Sequence, residues 1–136
     1  GDPETQAVLP GLRSDLAELV RAAARPGGLN STTLDWDRRQ AVTIVLAASG
    51  YPDAPRTGDA ISGLDAVADD VEVTHAGTAL ADGELVTAGG RVLNVTALGD
   101  SPAAARAAAY AAADAITFNG EQVRRDIALR AEERTT

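Results

Sequence analysis

The sequence contains no cysteine, no lysine and no methionine among its 136 residues. Without cysteine, the chain has no disulfide bonds, no thiolate nucleophile and no zinc site with cysteine ligands. Without lysine, it has no P-loop lysine, no Schiff base and no Ser–Lys dyad. Because methionine is absent and Gly1 is the first residue, we expect the chain to be a piece of a longer polypeptide.

Positive charge and long apolar runs are also scarce. The net charge is −8, and so acidic a surface repels phosphate backbones and anionic lipids, so we expect neither nucleic acid nor membranes as partners. The longest apolar run, residues 41–48, is far shorter than the roughly 20 residues that a membrane-spanning helix needs. No signal-peptide pattern opens the chain. We therefore expect a cytoplasmic protein with one domain, or one domain and a piece of another.

The strongest local pattern lies in residues 84–98, where two apolar, β-branched segments flank Gly89-Gly90. Two glycines can take positive φ at both central positions of a tight turn. The pattern therefore predicts a two-residue hairpin in which Thr87 faces Val92.

Further strands are predicted on both sides of this hairpin. Asp82-Gly83 is a second hairpin turn signal, so residues 71–98 are predicted to form a three-stranded antiparallel meander. Upstream, Ala41 to Ala48 is rich in valine and isoleucine and predicts a buried strand. Two shorter strands are expected within residues 34–36 and 59–64.

Helices are predicted near both ends of the chain. Asp2 and Pro3 suit the N-cap and first position of a short helix. Ser101-Pro102 suit the same two positions of a last, alanine-rich helix that ends at Ile116. Between them, a second helix carries an apolar stripe with the helical period, formed by Leu12, Leu16, Leu19, Val20 and Ala23. The residues alone indicate an acidic α/β (α+β) domain with a hairpin-rich sheet and flanking helices.

Four residues are candidates for a functional site, each with a structural alternative. Asp2 and Glu4 can bind Mg²⁺ or accept a proton, or they only favour the dipole of the helix that they begin. His75, the single histidine, can bind a substrate phosphate or carboxylate, or serve as a hydrogen-bonded structural residue. Arg91 can pair with a phosphate, or lie at a solvated turn. The same two alternatives, pairing with a phosphate or a solvated position, apply to the stretch Arg124-Arg125-Asp126.

Several short motifs, in order along nearly the whole chain, resemble those of one enzyme family. They are Gly1 to Gln6, Ser14 to Leu16, Ser49 to Pro52, Gly58-Asp59, Ile61 to Gly63, His75 to Thr78, Gly89 to Leu93, Val95 to Gly99 and Arg125 to Ile127. Together they resemble the C-terminal part of the glycinamide ribonucleotide synthetases, also called phosphoribosylamine–glycine ligases.

The resemblance implies an ATP-grasp ligase of de novo purine synthesis. Such an enzyme joins glycine to 5-phosphoribosylamine through a glycyl phosphate, and converts ATP to ADP and phosphate. The resemblance implies ATP and Mg²⁺ (or Mn²⁺) as cofactors, bound mainly by residues upstream of this chain. We therefore expect the chain to be inactive alone, to need the N-terminal part of the same enzyme, and to be a monomer.

The resemblance also implies a division of the chain. Residues 1–28 resemble the tail of an ATP-grasp domain, and residues 29–136 a small, barrel-like hybrid-motif domain that caps the active site. Asp2 and Glu4 become catalytic candidates, and Arg91 and His75 become substrate-binding candidates, with a contact to the neighbouring domain as the alternative for Arg91. Arg125 and Asp126 are expected to pair and anchor the C-terminal tail. The alternative is a free-standing, non-catalytic binding module with the same cap fold.

Overall fold

The computed structural model describes residues 1–133, in which helices lie mainly towards the two ends and strands in the middle. The helices are α1 (Glu4–Val8), α2 (Leu16–Ala23), α3 (Pro102–Ala115) and α4 (Leu129–Glu133), with 3-10 turns at Leu9–Gly11 and Leu64–Ala66. The strands are β1 (Gln40–Ala47), β2 (Val71–His75), β3 (Thr78–Ala81), β4 (Glu84–Thr87) and β5 (Arg91–Gly99). The prediction of a mixed fold with an antiparallel sheet is confirmed.

The core is built on a three-stranded antiparallel sheet with the strand order β1-β5-β2. At its centre Val95 of β5 lies between Ile44 of β1 and Val73 of β2. Strand β5 is buried along most of its length, because α3 covers one face and the N-terminal segment contacts the other. The buried strand predicted at residues 41–48 is confirmed as β1, one residue earlier at each end.

The hairpin predicted at Gly89-Gly90 is wrong. Strand β4 pairs with β3, where Thr87 lies opposite Thr78, and β5 pairs with β1 and β2 instead. Neither glycine has the positive φ that the turn would need. The reason is that β5 is buried along most of its length, and its two edges are already occupied by the ladders to β1 and β2.

Gly89 and Gly77 allow two chain segments to cross between β4, which pairs with β3, and β5, which pairs with β1 and β2. A Cβ atom on Gly77 would lie 2.8 Å from the Cα atom of Gly89 and 2.6 Å from the carbonyl oxygen of Arg91. The N–H of Ala88 donates to the carbonyl oxygen of Gly77 at 2.7 Å. Glycine is therefore required here for close approach of backbones and not for its range of φ.

The three-stranded meander is consequently wrong as well, although one of its turns is confirmed. Strands β3 and β4 form a separate two-stranded sheet, joined by Asp82 and Gly83 with φ values of 52° and 87°. Positive φ at both turn positions is the geometry of a tight two-residue hairpin.

Helix α3 covers the three-stranded sheet as predicted. The Ser101 hydroxyl accepts the N–H of Ala104 at 3.1 Å and so caps the helix. Ala105 and Ala109 are fully buried, and a Cβ atom on Gly99 would lie only 2.3 Å from the backbone nitrogen of Ala105. Small side chains thus let the helix approach β5 closely. The core lies between these two layers, with Ile44, Leu46, Leu93, Val95, Ala97, Ile116 and Phe118 among its buried residues.

Two details of the N-terminal prediction are wrong. Pro3 is the N-cap of α1, and no side chain caps this helix, because the Asp2 carboxylate is hydrogen-bonded to Arg91. Helix α2 begins at Leu16, so Leu12 of the predicted apolar stripe lies outside it, and the stripe is partly solvent-exposed, with Leu16 45% and Val20 62% exposed. Asp15 is the N-cap of α2, and its carboxylate accepts the N–H of Glu18 at 3.0 Å.

The two shortest predicted strands are reduced to isolated bridges. Trp36 pairs with Leu12, Ala60 pairs with Val86, and Ser62 pairs with Thr117. Within residues 1–133, no helix has the length and apolar character needed to cross a lipid bilayer.

Candidate functional site

Three segments that are distant in sequence meet at the guanidinium of Arg91, the first residue of β5. Its Nε donates to Asp2 Oδ2 at 2.9 Å, and its Nη2 lies 2.9 Å from the same oxygen. Its Nη1 donates to the hydroxyl of Tyr51 at 3.1 Å. Asp2 precedes α1, and Tyr51 lies in the loop after β1, so the N-terminal segment, this loop and the central strand form one cluster.

The cluster orients the guanidinium of Arg91. The hydrogen bond to Tyr51, followed by the hydrogen bond and ion pair to Asp2, raises the pKa of the Arg91 guanidinium above its ordinary value. Gln6 donates from Nε2 to the other carboxylate oxygen of Asp2 at 3.3 Å. The side chains of Arg91 and Asp2 remain 41% and 36% exposed, so a ligand can reach them from solvent.

Arg91 and Tyr51 line a groove of about 560 Å³ along β1. Apolar residues form most of its wall, together with Gln122 and Arg124. The residues that line it are Pro3, Thr43, Ile44, Val45, Ala47, Tyr51, Arg91, Gln122, Val123, Arg124 and Ile127. A groove with an apolar wall and guanidinium groups suits an organic anion, because a guanidinium pairs with phosphate or carboxylate oxygens.

The other two predicted site residues lie apart from this cluster. Glu4 is exposed and lines a separate, shallow depression of about 280 Å³. His75 ends β2, and its Nδ1 is 2.9 Å from the hydroxyl of Thr78. Since side chains alternate along a strand, His75 projects to the face opposite that of Thr74, whose hydroxyl accepts from Asn94. Of the four candidates, the structure brings together only Asp2 and Arg91.

The predicted pair between Arg125 and Asp126 is wrong. Arg124 instead makes two hydrogen bonds to Asp126, at 3.0 and 2.6 Å, and Arg125 pairs with Asp114 of α3. Residues 124–126 lie in an irregular segment with a bend at Arg125, and the side chains of Arg124 and Asp126 meet across this bend. The pair with Arg124 lowers the pKa of Asp126.

A buried polar layer separates the N-terminal segment from the sheet, and the sequence reading missed it. The hydroxyl of Thr96 donates to the carbonyl oxygen of Gln6 at 3.2 Å and lies 2.8 Å from the hydroxyl of Thr43. Asn94, two residues away on the same strand, is fully buried. Asn94 Oδ1 and Gln6 Oε1 have no hydrogen-bond partner in the described residues. The polar residues at alternate positions of β5 were the available signal.

Tyr51 was also missed, because an aromatic residue in a loop rich in glycine and proline carries no local sign of its partner.

A metal site is a separate question. Residues 1–131, whose side chains the structure describes, contain no group of three or more His, Asp or Glu side chains that could hold a metal ion. The carboxylate of Asp2 is already paired with Arg91, so this part of the chain does not fit a resident Mg²⁺ by itself.

Comparisons with known proteins agree with the motifs in the sequence. The family described as phosphoribosylglycinamide synthetase, C domain, matches residues 41–130. Phosphoribosylamine–glycine ligase of Ralstonia nicotianae is 48% identical over 131 residues, which covers 96% of this chain and 31% of the relative. The enzyme of that name from Neisseria meningitidis is 51% identical over 132 residues, with the same coverage.

A solved structure is similar as well. The crystal structure of phosphoribosylamine–glycine ligase from Thermotoga maritima matches with a TM-score of 0.73 and 37% sequence identity, over 93% of this chain and 30% of that one. The chain thus spans about a third of the length of the relatives that it matches. The sequence motifs, the family match and the shared fold together show that the chain belongs to the phosphoribosylglycinamide synthetase family and that residues 41–130 match its C domain.

Proposed function

We propose that the chain is the C-terminal part of an ATP-dependent ligase that joins glycine to 5-phosphoribosylamine. The observation that carries this proposal is the identity of about half of all residues, across 96% of the chain, to proteins named phosphoribosylamine–glycine ligase. In the reaction, the amine nitrogen of phosphoribosylamine attacks the carboxyl carbon of glycine activated as glycyl phosphate. A C–N bond forms, phosphate leaves, and the amine loses a proton.

ATP and Mg²⁺ would be held by the rest of the enzyme, in its ATP-grasp domain. This part of the proposal rests on the chemistry of the chain, which has no lysine and, in the described residues, no cluster of metal ligands. In the same proposal residues 1–28 are the tail of the ATP-grasp domain and residues 29–136 are the cap. The ion pair of Asp2 with Arg91 then joins the two parts beside the groove.

The proposed roles of the site residues follow from their surroundings. Arg91 binds an anionic group of a substrate, since its guanidinium is charged, half-exposed and directed by two partners. Asp2 orients Arg91, because its carboxylate already accepts from Arg91 and Gln6. Glu4 is the better candidate for accepting the proton, because its side chain is exposed, whereas the carboxylate of Asp2 is already paired with Arg91. His75 would contact a substrate only on the face of the sheet opposite that of Thr74.

The test of the function is the activity of the complete polypeptide that the reading frame encodes. We expect release of ADP that depends on both glycine and phosphoribosylamine, and no release from residues 1–136 alone. The alternative, a free-standing binding module, predicts a reading frame with a start codon immediately before Gly1 and no ligase activity. Substantial activity of residues 1–136 alone would contradict the division of labour proposed here.

The role of Arg91 is tested by replacing it with alanine in that polypeptide. A hydrogen-bonded charge contributes about 1.5–3 kcal/mol, so Arg91→Ala should raise the KM for phosphoribosylamine by roughly 10- to 150-fold. Arg125→Ala is the matched control, because Arg125 is also an exposed arginine paired with an aspartate but lies outside the groove. Unchanged KM values for both phosphoribosylamine and glycine would return Arg91 to a purely structural role.

A further inference from the structure

Tyr51 contacts the segment around Arg91 in two ways. A Cβ atom on Gly90 would lie 2.4 Å from Cδ2 and 2.9 Å from Cε2 of the Tyr51 ring, so the ring packs directly against the backbone that precedes Arg91. The Tyr51 hydroxyl accepts a hydrogen bond from Arg91 Nη1 at 3.1 Å. One side chain thus determines both where the backbone enters β5 and where the guanidinium points.

In the part of the chain that the structure describes, the partners of Arg91 leave some of its N–H donors unused. A guanidinium has five N–H groups. Asp2 accepts from Nε and lies against Nη2, and Tyr51 accepts from Nη1. Each of the two terminal nitrogens carries two N–H groups, so each retains one. Two N–H groups on one planar group match the paired oxygens of a phosphate or a carboxylate.

We propose that Tyr51 is a positioning residue, which holds Arg91 at the groove so that its two remaining N–H groups bind an anionic group of a substrate. The proposal rests on the proposed ligase function and assigns a role to a residue that does not itself touch the substrate. An arginine side chain loses rotamer freedom when it is fixed. A partner that fixes it before the ligand arrives removes part of that cost from binding.

The anionic group has two sources in the proposed reaction, the phosphate of phosphoribosylamine and the carboxylate of glycine. The chemistry that recognises them is shared, so the experiment has one arm for each. In the complete polypeptide, KM is measured for both substrates. Calorimetric titrations with ribose 5-phosphate and with glycine give the dissociation constants without turnover. The substrate whose constants change identifies the group that Arg91 binds.

Tyr51→Phe keeps the ring against Gly90 and removes only the hydroxyl. We expect KM and Kd for one of the two ligands to rise about three- to tenfold, the effect of one hydrogen bond, with kcat unchanged. Because Tyr51 acts through Arg91, Tyr51→Phe should cause no further rise in an Arg91→Ala background. In an Arg125→Ala background its effect should keep its full size.

Three results would overturn the proposal: unchanged KM and Kd in Tyr51→Phe, a loss confined to kcat, or effects that multiply in the double variant with Arg91→Ala. Its failure can be told apart from failure of the ligase assignment. A polypeptide that does not turn over substrate but binds ribose 5-phosphate or glycine through Arg91 and Tyr51 would refute the ligase and leave the positioning role. Normal turnover with unchanged KM and Kd in Tyr51→Phe would leave the ligase assignment and refute the positioning role.

Discussion

Replacing Gly77 with alanine is the sharpest test of the chain crossing that brings Arg91 to the groove. The added Cβ would lie 2.6 Å from the carbonyl oxygen of Arg91 and 2.8 and 2.9 Å from Cα and N of Gly89, whereas ordinary contacts are at 3.4–4 Å. All three atoms belong to the backbone, so no rotation of a side chain relieves the contact. Overpacking costs about 1–3 kcal/mol, and this geometry favours the upper limit.

The expected result is a large loss of stability in equilibrium unfolding. With a urea m-value of about 2 kcal/mol/M, a cost near 3 kcal/mol lowers the midpoint by about 1.5 M. Gly11→Ala is the control, because its Cβ would meet nothing closer than 3.7 Å. That variant should be unchanged or slightly more stable, since alanine restricts the unfolded chain.

Two outcomes would refute this reasoning. The first is a Gly77→Ala midpoint equal to that of Gly11→Ala, which would show that the backbones do not approach closely. The second is a clear gain in stability from Gly89→Asn. Asparagine is favoured in a two-residue hairpin turn, but at the crossing its Cβ would lie 3.2 Å from Gly77 Cα.

Two further predictions concern the C-terminal segment and the effect of acid. The Tyr110 hydroxyl donates to the carbonyl oxygen of Arg124 at 2.6 Å and accepts the N–H of Ile127 at 3.2 Å. Tyr110→Phe should therefore lower the free energy of unfolding by about 1–2 kcal/mol and speed hydrogen exchange at the Ile127 amide. Unchanged protection of that amide would contradict this role of Tyr110. Hydrogen bonds from the side chain and backbone of Arg39, then from Arg13, hold the pKa of Asp37 well below its ordinary 3.8. The stabilisation is therefore present above that ordinary value and is lost as the pH falls through the lower folded-state value. The difference in urea midpoint between the wild-type chain and Asp37→Asn should be constant above about pH 5 and should decrease below about pH 4. If the two curves of midpoint against pH stay parallel down to the lowest pH measured, Asp37 is not the group whose protonation destabilises the fold.

Sequence patterns predicted the elements whose causes are local. Ser101-Pro102 and the alanines that follow predicted α3, because capping and helix propensity depend on neighbouring residues. Asp82-Gly83 predicted the turn between β3 and β4, because both residues tolerate positive φ. The run of valine and isoleucine predicted β1 nearly to the residue.

Strand pairing could not be read in the same way. The apolar pattern of residues 91–99 indicates that a strand is buried, but it does not say which strands lie beside it. Gly89-Gly90 satisfies two different requirements, positive φ in a turn and close approach of another chain segment, and the two look identical in sequence. Only the packing of Gly89 against Gly77, and of Gly90 against Tyr51, distinguishes them.

The sequence by itself determined the family of this protein, its acidic and lysine-free surface, and the helices, strands and turns with local causes. The tertiary structure decided that β5 is the centre of the sheet, and that Arg91 meets Asp2 and Tyr51, which lie 89 and 40 residues away in the chain. The physical reason is that propensity, capping and turn geometry act over a few residues. Strand partners and the site they build depend on which distant surfaces bury each other best.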